Sequence, residues 1–333
     1  MGMDTSGDPT VPIAVWKGRE LLKPGEPADS LTIILRTVGC SWGRCLMCGF
    51  FNMTSPGLVA SDALITQYES AMSECPEGAV IKLYTSGSFY DAKEVPPEAQ
   101  EEILKRLAGD PRPRKVIIET MPEYITPEIF RLPVPPGLEF AIGLESSSDY
   151  VRDRCVVKGF TWEGFKRACG VARDHGATVK AYTILKPPFL TEADAIEDAV
   201  KTCRDAFSVP NVTTVSMNLC NVQRNTPVER LWRRGEFRPP WLWSATEALG
   251  RMRSEAPADR VVISDPLAAG SPRGPHNCGE CDAGFAAAIR RYDLSQDPAE
   301  FGGLSCGCRD VWRTVLELED HAFGAPLVEA RVR

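Results

Sequence analysis

Histidine is scarce in this 333-residue chain, which has three, at positions 175, 276 and 321. His175 and His321 have no partners nearby in the sequence and are assigned no chemistry. Long apolar runs are missing: no stretch approaches the roughly 18–20 residues that cross a bilayer, so no membrane partner is expected. The N-terminus, Met1 to Pro12, has neither a basic nor an apolar signal region, which makes the cytoplasm the expected compartment. There is no low-complexity tract. There is also no excess of positive charge. The 38 Lys and Arg residues face 45 Asp and Glu, and the net charge of −7 argues against a free-standing nucleic-acid binder.

Cysteine, in contrast, is plentiful. Twelve cysteines in a small secreted protein would suggest a disulfide framework, but in a large chain without a signal they point to metal binding. Three fall at 40, 45 and 48, and four at 278, 281, 306 and 308. The other five (Cys75, Cys155, Cys169, Cys203 and Cys220) are scattered singly and read as small buried apolar residues. Charge is uneven as well. Residues 61–110 hold ten acids against four bases, whereas 221–291 hold eleven arginines against eight acids, together with Trp232, Trp241 and Trp243. Arginine with aromatics suits RNA contact, and a solvated helical surface with packed tryptophans reads equally well.

Strands and helices alternate. Strands are expected at 31–37, 79–84, 115–119, 138–143, 178–185 and 212–219. Helices are expected at 61–75, 97–108, 161–175 and 192–207, with another starting at 227 and one at 245–254. Short apolar strands alternating with helices indicate βαβ units and a parallel sheet. The expected class is therefore α/β, a partial (β/α)6 barrel with a small C-terminal cysteine-rich extension. The expected divisions are an N-terminal extension at 1–30, the partial barrel at 31–235 and the extension at 236–333. In such sheets function gathers at the carboxyl ends of the strands. The Cys40 loop, Thr85–Ser88, Glu119, Glu145, Lys186 and Asn218 all lie there.

Cys40-Ser-Trp-Gly-Arg-Cys45-Leu-Met-Cys48 is a C-x4-C-x2-C run in the loop after the first strand. Three converging thiolates suit a [4Fe–4S] cluster with one iron left without a cysteine, whereas a structural zinc site needs four ligands. The run resembles the cluster loop of the radical S-adenosylmethionine (SAM) enzymes. That resemblance makes Cys40, Cys45 and Cys48 the catalytic cluster ligands. It implies that SAM chelates the remaining iron, and that an electron from an external reductant releases a 5′-deoxyadenosyl radical. The usual family spacing is C-x3-C-x2-C with an aromatic before the last cysteine. Here the first gap is one residue longer, and Met47 takes the aromatic position.

Residues 31–225 resemble the radical-SAM domain of the group containing coproporphyrinogen dehydrogenase and the catalytic Elongator subunit. The resemblance places Thr85, Ser86, Gly87 and Ser88 at the SAM amino group, without the family's Gly-Gly-Glu lettering. It places Glu119 in Ile118-Glu-Thr-Met-Pro122 on SAM, Glu145 in Ile142-Gly-Leu-Glu-Ser146 near the nucleoside, and Lys158 near the SAM carboxylate. Lys186, Asn218 and His276 are substrate-side candidates.

A narrower pattern comprises Trp16-Lys-Gly-Arg-Glu20, Leu35–Cys40, Cys45-Leu-Met-Cys48-Gly-Phe, Thr85–Phe89, Lys186-Pro-Pro-Phe-Leu190 and Gly274-Pro-His-Asn-Cys278. It resembles the archaeosine-forming radical-SAM lyases of archaea. This implies a tRNA substrate and, as partner, the transferase subunit of archaeosine synthase, which attaches lysine to a 7-cyano-7-deazaguanine base. The lyase splits the lysine C–N bond and leaves archaeosine. Two other readings stay open at this point. One is a different tRNA-modifying radical-SAM reaction, methylthiolation or wobble-uridine modification. The other is a non-catalytic metal scaffold or electron carrier. The second set, Cys278, Cys281, Cys306 and Cys308, suits tetrahedral zinc, with a second iron–sulfur cluster or unligated thiols as alternatives.

Overall fold

The computed structural model describes residues 7–319; His321 lies outside them. The chain opens on a hairpin: β1 (Ala14–Lys23) turns at Pro24-Gly25 and pairs antiparallel with β2 (Glu26–Ile34), Ala14 opposite Ile34 and Lys23 opposite Glu26. Strand β1 has no clean alternation of polar and apolar residues and was not expected. Its partner starts five residues before Leu31 because the hairpin extends the pairing beyond the apolar stretch. Six more strands follow: β3 (Ala79–Tyr84), β4 (Pro113–Glu119), β5 (Glu139–Glu145), β6 (Thr178–Leu185), β7 (Val212–Leu219) and β8 (Val261–Ile263). The strand order is β1 to β8 in sequence order, and β2–β3, β3–β4, β4–β5 and β7–β8 are parallel. The expected α/β class with sequential βα units is therefore what forms, with β1 and β8 added to the six expected strands.

The helices are α1 (Ser61–Met72), α2 (Pro97–Gly109), the short α3 (Asp149–Val151), α4 (Trp162–Asp174), α5 (Glu192–Phe207), α6 (Pro227–Arg233), α7 (Leu242–Glu255), α8 (Asp282–Ser295) and α9 (Cys308–Leu318). Helix α1 ends three residues short of the expected Cys75, since Pro76 disfavours helical backbone just before it. Helix α5 starts at Thr191, whose side chain accepts from Asp194 N, with Glu192 and Asp194 in the first turn. None of the described helices is long and apolar enough to cross a membrane.

Two compact units form. Among the described residues, the first comprises 7–43, 50–143 and 163–180. Its core is two-sided, as a parallel sheet requires: Leu31, Ile33, Ile81, Leu83, Val116, Ile118 and Phe140 are fully buried on one face and Val80, Ile117 and Ala141 on the other, and Ile103, Leu104 and Phe165 of the helices are fully buried as well. The second comprises 44–49, 144–162 and 181–319. There Val212, Val215 and Met217 are buried with Ala199 and Cys203 of α5, Leu249 of α7 and Ile289 of α8. The five scattered cysteines are buried and in no disulfide. Burial pushes Cys155, Cys169, Cys203 and Cys220 up to about 12, which keeps them protonated and unreactive.

Candidate active site and metal centre

In the first unit, the loop after β2 carries Thr37, Gly39 and Cys40, and the turn after β3 carries Thr85 to Ser88. A Cβ built on Gly87 would stand 2.7 Å from Cys40 Cα, Cys40 Cβ and Glu94 Oε2. Only glycine lets the two chain segments approach this closely. The buried Glu94 carboxylate ties them together. It accepts from Ser86 N at 3.0 Å, Ser88 N at 2.6 Å and Thr37 Oγ1 at 2.8 Å. Burial raises its pKa, while the bonds from Ser88, Thr37 and Ser86 oppose that rise. Ser41 bonds Asp91 from the cysteine loop. Ser88 Oγ accepts from Met121 N at 2.8 Å and Phe89 N donates to Glu119 O at 3.0 Å, which joins the β3 turn to the Glu119 motif at the end of β4. Ser86 Oγ is buried with no hydrogen-bond partner. Such an orphaned hydroxyl is costly unless a ligand completes it.

In the second unit, residues 44–49 hold Cys45 and Cys48, and Cys48 N donates to Cys45 O at 3.2 Å. Leu46 N donates to Val156 O and Leu46 O accepts from Val228 N. Gly49 N donates to Gln223 Oε1 at 2.6 Å. Leu46 and Met47 pack on a buried cluster of Val156, Ile184, Val222, Val228 and Phe237. The position where an aromatic was expected thus serves as an apolar anchor. Glu145, at the end of β5, takes a left-handed backbone (φ +64°), and Lys158 Nζ donates to its Oε1 at 3.0 Å. Buried Arg152 bonds Ser146 O and Asp149, and its carbonyl accepts from Lys158 N, which shapes the loop carrying both residues.

Lys186 follows β6 with φ +58°. It is 5% exposed, and its Nζ lies 2.5 Å from Oε2 of the fully buried Glu192. Glu192 Oε1 also accepts from Trp241 N at 2.7 Å. Asn218 is exposed near the end of β7. His276 is half-buried, its Nδ1 2.8 Å from Gly274 O, and burial lowers its pKa. Gly274 itself lies where a Cβ would strike Ala268 O at 2.0 Å.

Cys278, Cys281, Cys306 and Cys308 bring their sulfurs together within 4.8 Å of one another. The separations are 3.8 Å for Cys278–Cys281, 3.6 Å for Cys278–Cys306 and 3.7 Å for Cys281–Cys308. Four thiolates about 2.3 Å from one tetrahedral ion stand about 3.8 Å apart, so the set could hold one metal ion. A four-iron cluster gives each cysteine its own iron and needs a wider spread. Two side-chain N–H groups address the sulfurs: Asn277 Nδ2 lies 3.3 Å from Cys281 and Trp243 Nε1 3.4 Å from Cys308. Donors on metal-bound thiolates orient the ligands and stabilise their charge. Backbone N–H groups of Glu280 and Cys281 lower Cys278 to about 7, while burial pushes Cys308 up to about 12.

The sequence reading missed Glu94, Asp91, Glu192, Asn277 and Trp243. A buried acid or tryptophan has no spacing signature of its own. Asn277 lies within the Gly274–Cys278 pattern, which was the one available clue.

No family model matches the sequence. The chain is 42% identical over 328 residues to archaeosine synthase subunit beta of Methanosarcina acetivorans, covering 96% of this chain and 93% of that protein. It is 36% identical over 305 residues to archaeosine synthase subunit beta of Thermococcus kodakarensis, covering 88% and 93%. Among solved structures, Elp3 of the archaeon Methanocaldococcus infernus, with an N-terminal deletion, matches with a TM-score of 0.51 at 20% identity, over 72% of this chain and 59% of that one. That likeness shows the fold, an α/β fold like that of Elp3, as the sequence led one to expect. At this identity and coverage, the chain belongs to the archaeosine synthase subunit beta family.

Proposed function

We propose that this chain is the radical-SAM lyase that cleaves the lysine C–N bond of lysine-modified 7-cyano-7-deazaguanine in tRNA, forming archaeosine. The observation that carries the reading is the identity over nearly the whole chain to archaeosine synthase subunit beta, together with the C-x4-C-x2-C run at Cys40, Cys45 and Cys48. Residues 31–235 carry the cleavage site in this reading and 236–333 the four-cysteine extension. Cys40, Cys45 and Cys48 hold a [4Fe–4S] cluster whose free iron takes SAM. When bound, cluster and SAM supply the carbon-centred radical for hydrogen abstraction, given an external one-electron reductant.

The donor set fits this cofactor pair. Three thiolates leave one coordination position open, and the bare Gly87 lets the Thr85–Ser88 turn lie against Cys40. The unpartnered Ser86 hydroxyl, with Thr85 and Ser88, serves the SAM amino group. Glu119, Glu145 and Lys158 serve the rest of SAM, and the Glu145–Lys158 ion pair holds both side chains ready. Lys186, Asn218 and His276 are the substrate-side candidates in this reading, with Lys186 held by Glu192. Cys278, Cys281, Cys306 and Cys308 hold zinc, whose role is structural because no ligand position stays open. The partners are tRNA and the transferase subunit of archaeosine synthase, and the reaction takes place in the cytoplasm.

The test is an anaerobic assay of reduced, cluster-loaded protein with SAM and transferase-treated tRNA. The expected products are 5′-deoxyadenosine and archaeosine, both followed by mass spectrometry. Deoxyadenosine without archaeosine rejects the substrate. Neither product, with SAM shown to bind, rejects the chemistry.

A further inference from the structure

The second unit carries arginines on the segments that brace the Cys45–Cys48 loop. Arg44 begins that loop and is exposed. Segment 222–234 packs against the loop through Gly49–Gln223 and Leu46–Val228, and Leu46 and Met47 share with Leu231 and Trp232 one buried cluster that includes Val222 and Val228. The same segment carries Arg224, Arg230, Arg233 and Arg234, all exposed. Residues 221–236 contain four arginines and two acids, Glu229 and Glu236, a local charge of +2 in a chain of net charge −7.

Those two acids do not balance the arginines of this segment. Glu229 is buried and shared: it accepts from Asn225 N at 2.8 Å, from Arg233 one helical turn on at 3.0 Å and from Arg273 at 2.8 Å, so one carboxylate stands between two guanidinium groups. Hydrogen bonding from Arg273 and from the Asn225 backbone holds its pKa near 2. Arg234 stands 4.0 Å from Glu236, and Arg233 and Arg234 side chains are each 67% exposed. Arg273 is clamped on the inside instead, bonded to Val222 O at 3.0 Å and set over the Trp232 ring at 5.1 Å. The result is a rigid base of Glu229, Arg273 and Trp232 with several guanidinium groups projecting to solvent. Guanidinium is suited to phosphate, which it binds through a planar fork of donors.

We infer that Arg230, Arg233 and Arg234, with Arg224 and Arg44, form a phosphate-binding rim that docks the tRNA backbone beside the cluster loop. This rests on the reading of tRNA as substrate. The bracing contacts explain the placement: a backbone gripped on this segment is held at a fixed register to Cys45 and Cys48, so the modified nucleotide is presented without the enzyme needing a broadly basic surface.

The test uses the cluster-loaded protein and an unmodified tRNA transcript, with affinity measured across a salt series. Each phosphate contact contributes about 0.7–0.9 to the slope of log affinity against log salt. The variant R230Q/R233Q/R234Q is expected to bind more weakly and to lose about two units of slope, while the control R290Q on α8 keeps both. Should the triple variant lose iron, the single R230Q decides, with an expected loss of about one unit. Unchanged slope and affinity in the arginine variants would overturn the rim, as would an equal loss in R290Q. Archaeosine formation by the wild-type protein tests the substrate reading separately, so a failed rim with intact conversion leaves that reading standing.

Discussion

At the scale of single residues, the site turns on a missing methyl group. Gly87 leaves room for Cys40 and for the Glu94 carboxylate, each 2.7 Å from where its Cβ would be. Two of those contacts are atoms of Cys40 itself, fixed by the loop, so the clash cannot be relieved by turning a flexible side chain. Gly87→Ala is expected to cost about 1–3 kcal/mol through overpacking and to lower the iron bound per chain. The metal content of the four-cysteine site should not change. Metal analysis of the purified variant measures both, and full iron occupancy would show that the close approach is dispensable. The sequence named Gly87 through the turn motif it belongs to. It gave no sign of Glu94, whose role is to satisfy two backbone N–H groups and a threonine hydroxyl. That role exists only once β2 and β3 lie side by side.

At the scale of elements, the C-terminal helices are organised around sulfur. Helix α9 begins at Cys308, and α8 follows directly on Cys281. Trp243 of α7 spans the two: its ring lies 4.5 Å from Phe285 of α8 and 6.0 Å from Trp312 of α9, and its N–H meets Cys308. Trp312 in turn donates to Ser244 at 2.8 Å. Cys306→Ser removes one of four ligands and is expected to empty the site, since structural metal sites contribute directly to folding free energy. Hydrogen exchange should then accelerate in residues 276–281 and 308–318 and stay unchanged in β2 to β4. Uniform acceleration, or none, would contradict a local structural role. The paired spacings of the four cysteines made this site legible. The N–H donors of Asn277 and Trp243 were not legible, because they reach the sulfurs from a loop and from a different helix.

At the scale of the molecule, long-range charge pairing inside the first unit decides how the chain meets acid. Glu20 on β1 is 7% exposed and bonds both Lys82 of β3 and Lys180 of β6, each at 2.8 Å. Burial alone would raise its pKa, but the two lysines together bring it down to about 2 from the ordinary 4.5. A carboxylate depressed in the folded state contributes stability that is complete above its unfolded value and is lost as pH falls through the folded value. Glu20 therefore contributes fully above about pH 4.5 and progressively less down to about pH 2. Glu20→Gln leaves two lysines without their counter-charge and is expected to destabilise the protein by about 3–5 kcal/mol at neutral pH. It should also flatten the fall in stability between pH 4.5 and 2 relative to wild type. Thermal midpoints of both proteins across that range measure it, and parallel pH profiles would count against the pairing.

The sequence by itself determined the class of fold and marked out the two cysteine sets as candidate ligands. Alternating apolar strands and helices dictate a parallel sheet, and closely spaced cysteines are local in the chain, so neither depends on distant partners. Strand β3 falls at the expected residues, as do β6 and β7, because their apolar runs are bounded by turns or helix starts. Tertiary structure alone decided the rest. The hairpin of β1 depends on pairing, the anchoring of Leu46 and Met47 on a cluster built from four other segments, and the buried carboxylates Glu20, Glu94, Glu192 and Glu229 on donors brought from elsewhere. A charged side chain looks the same in sequence whether it ends in water or in a closed pair. The fold decides which, by setting the cost of taking it out of water against the partners it brings within reach.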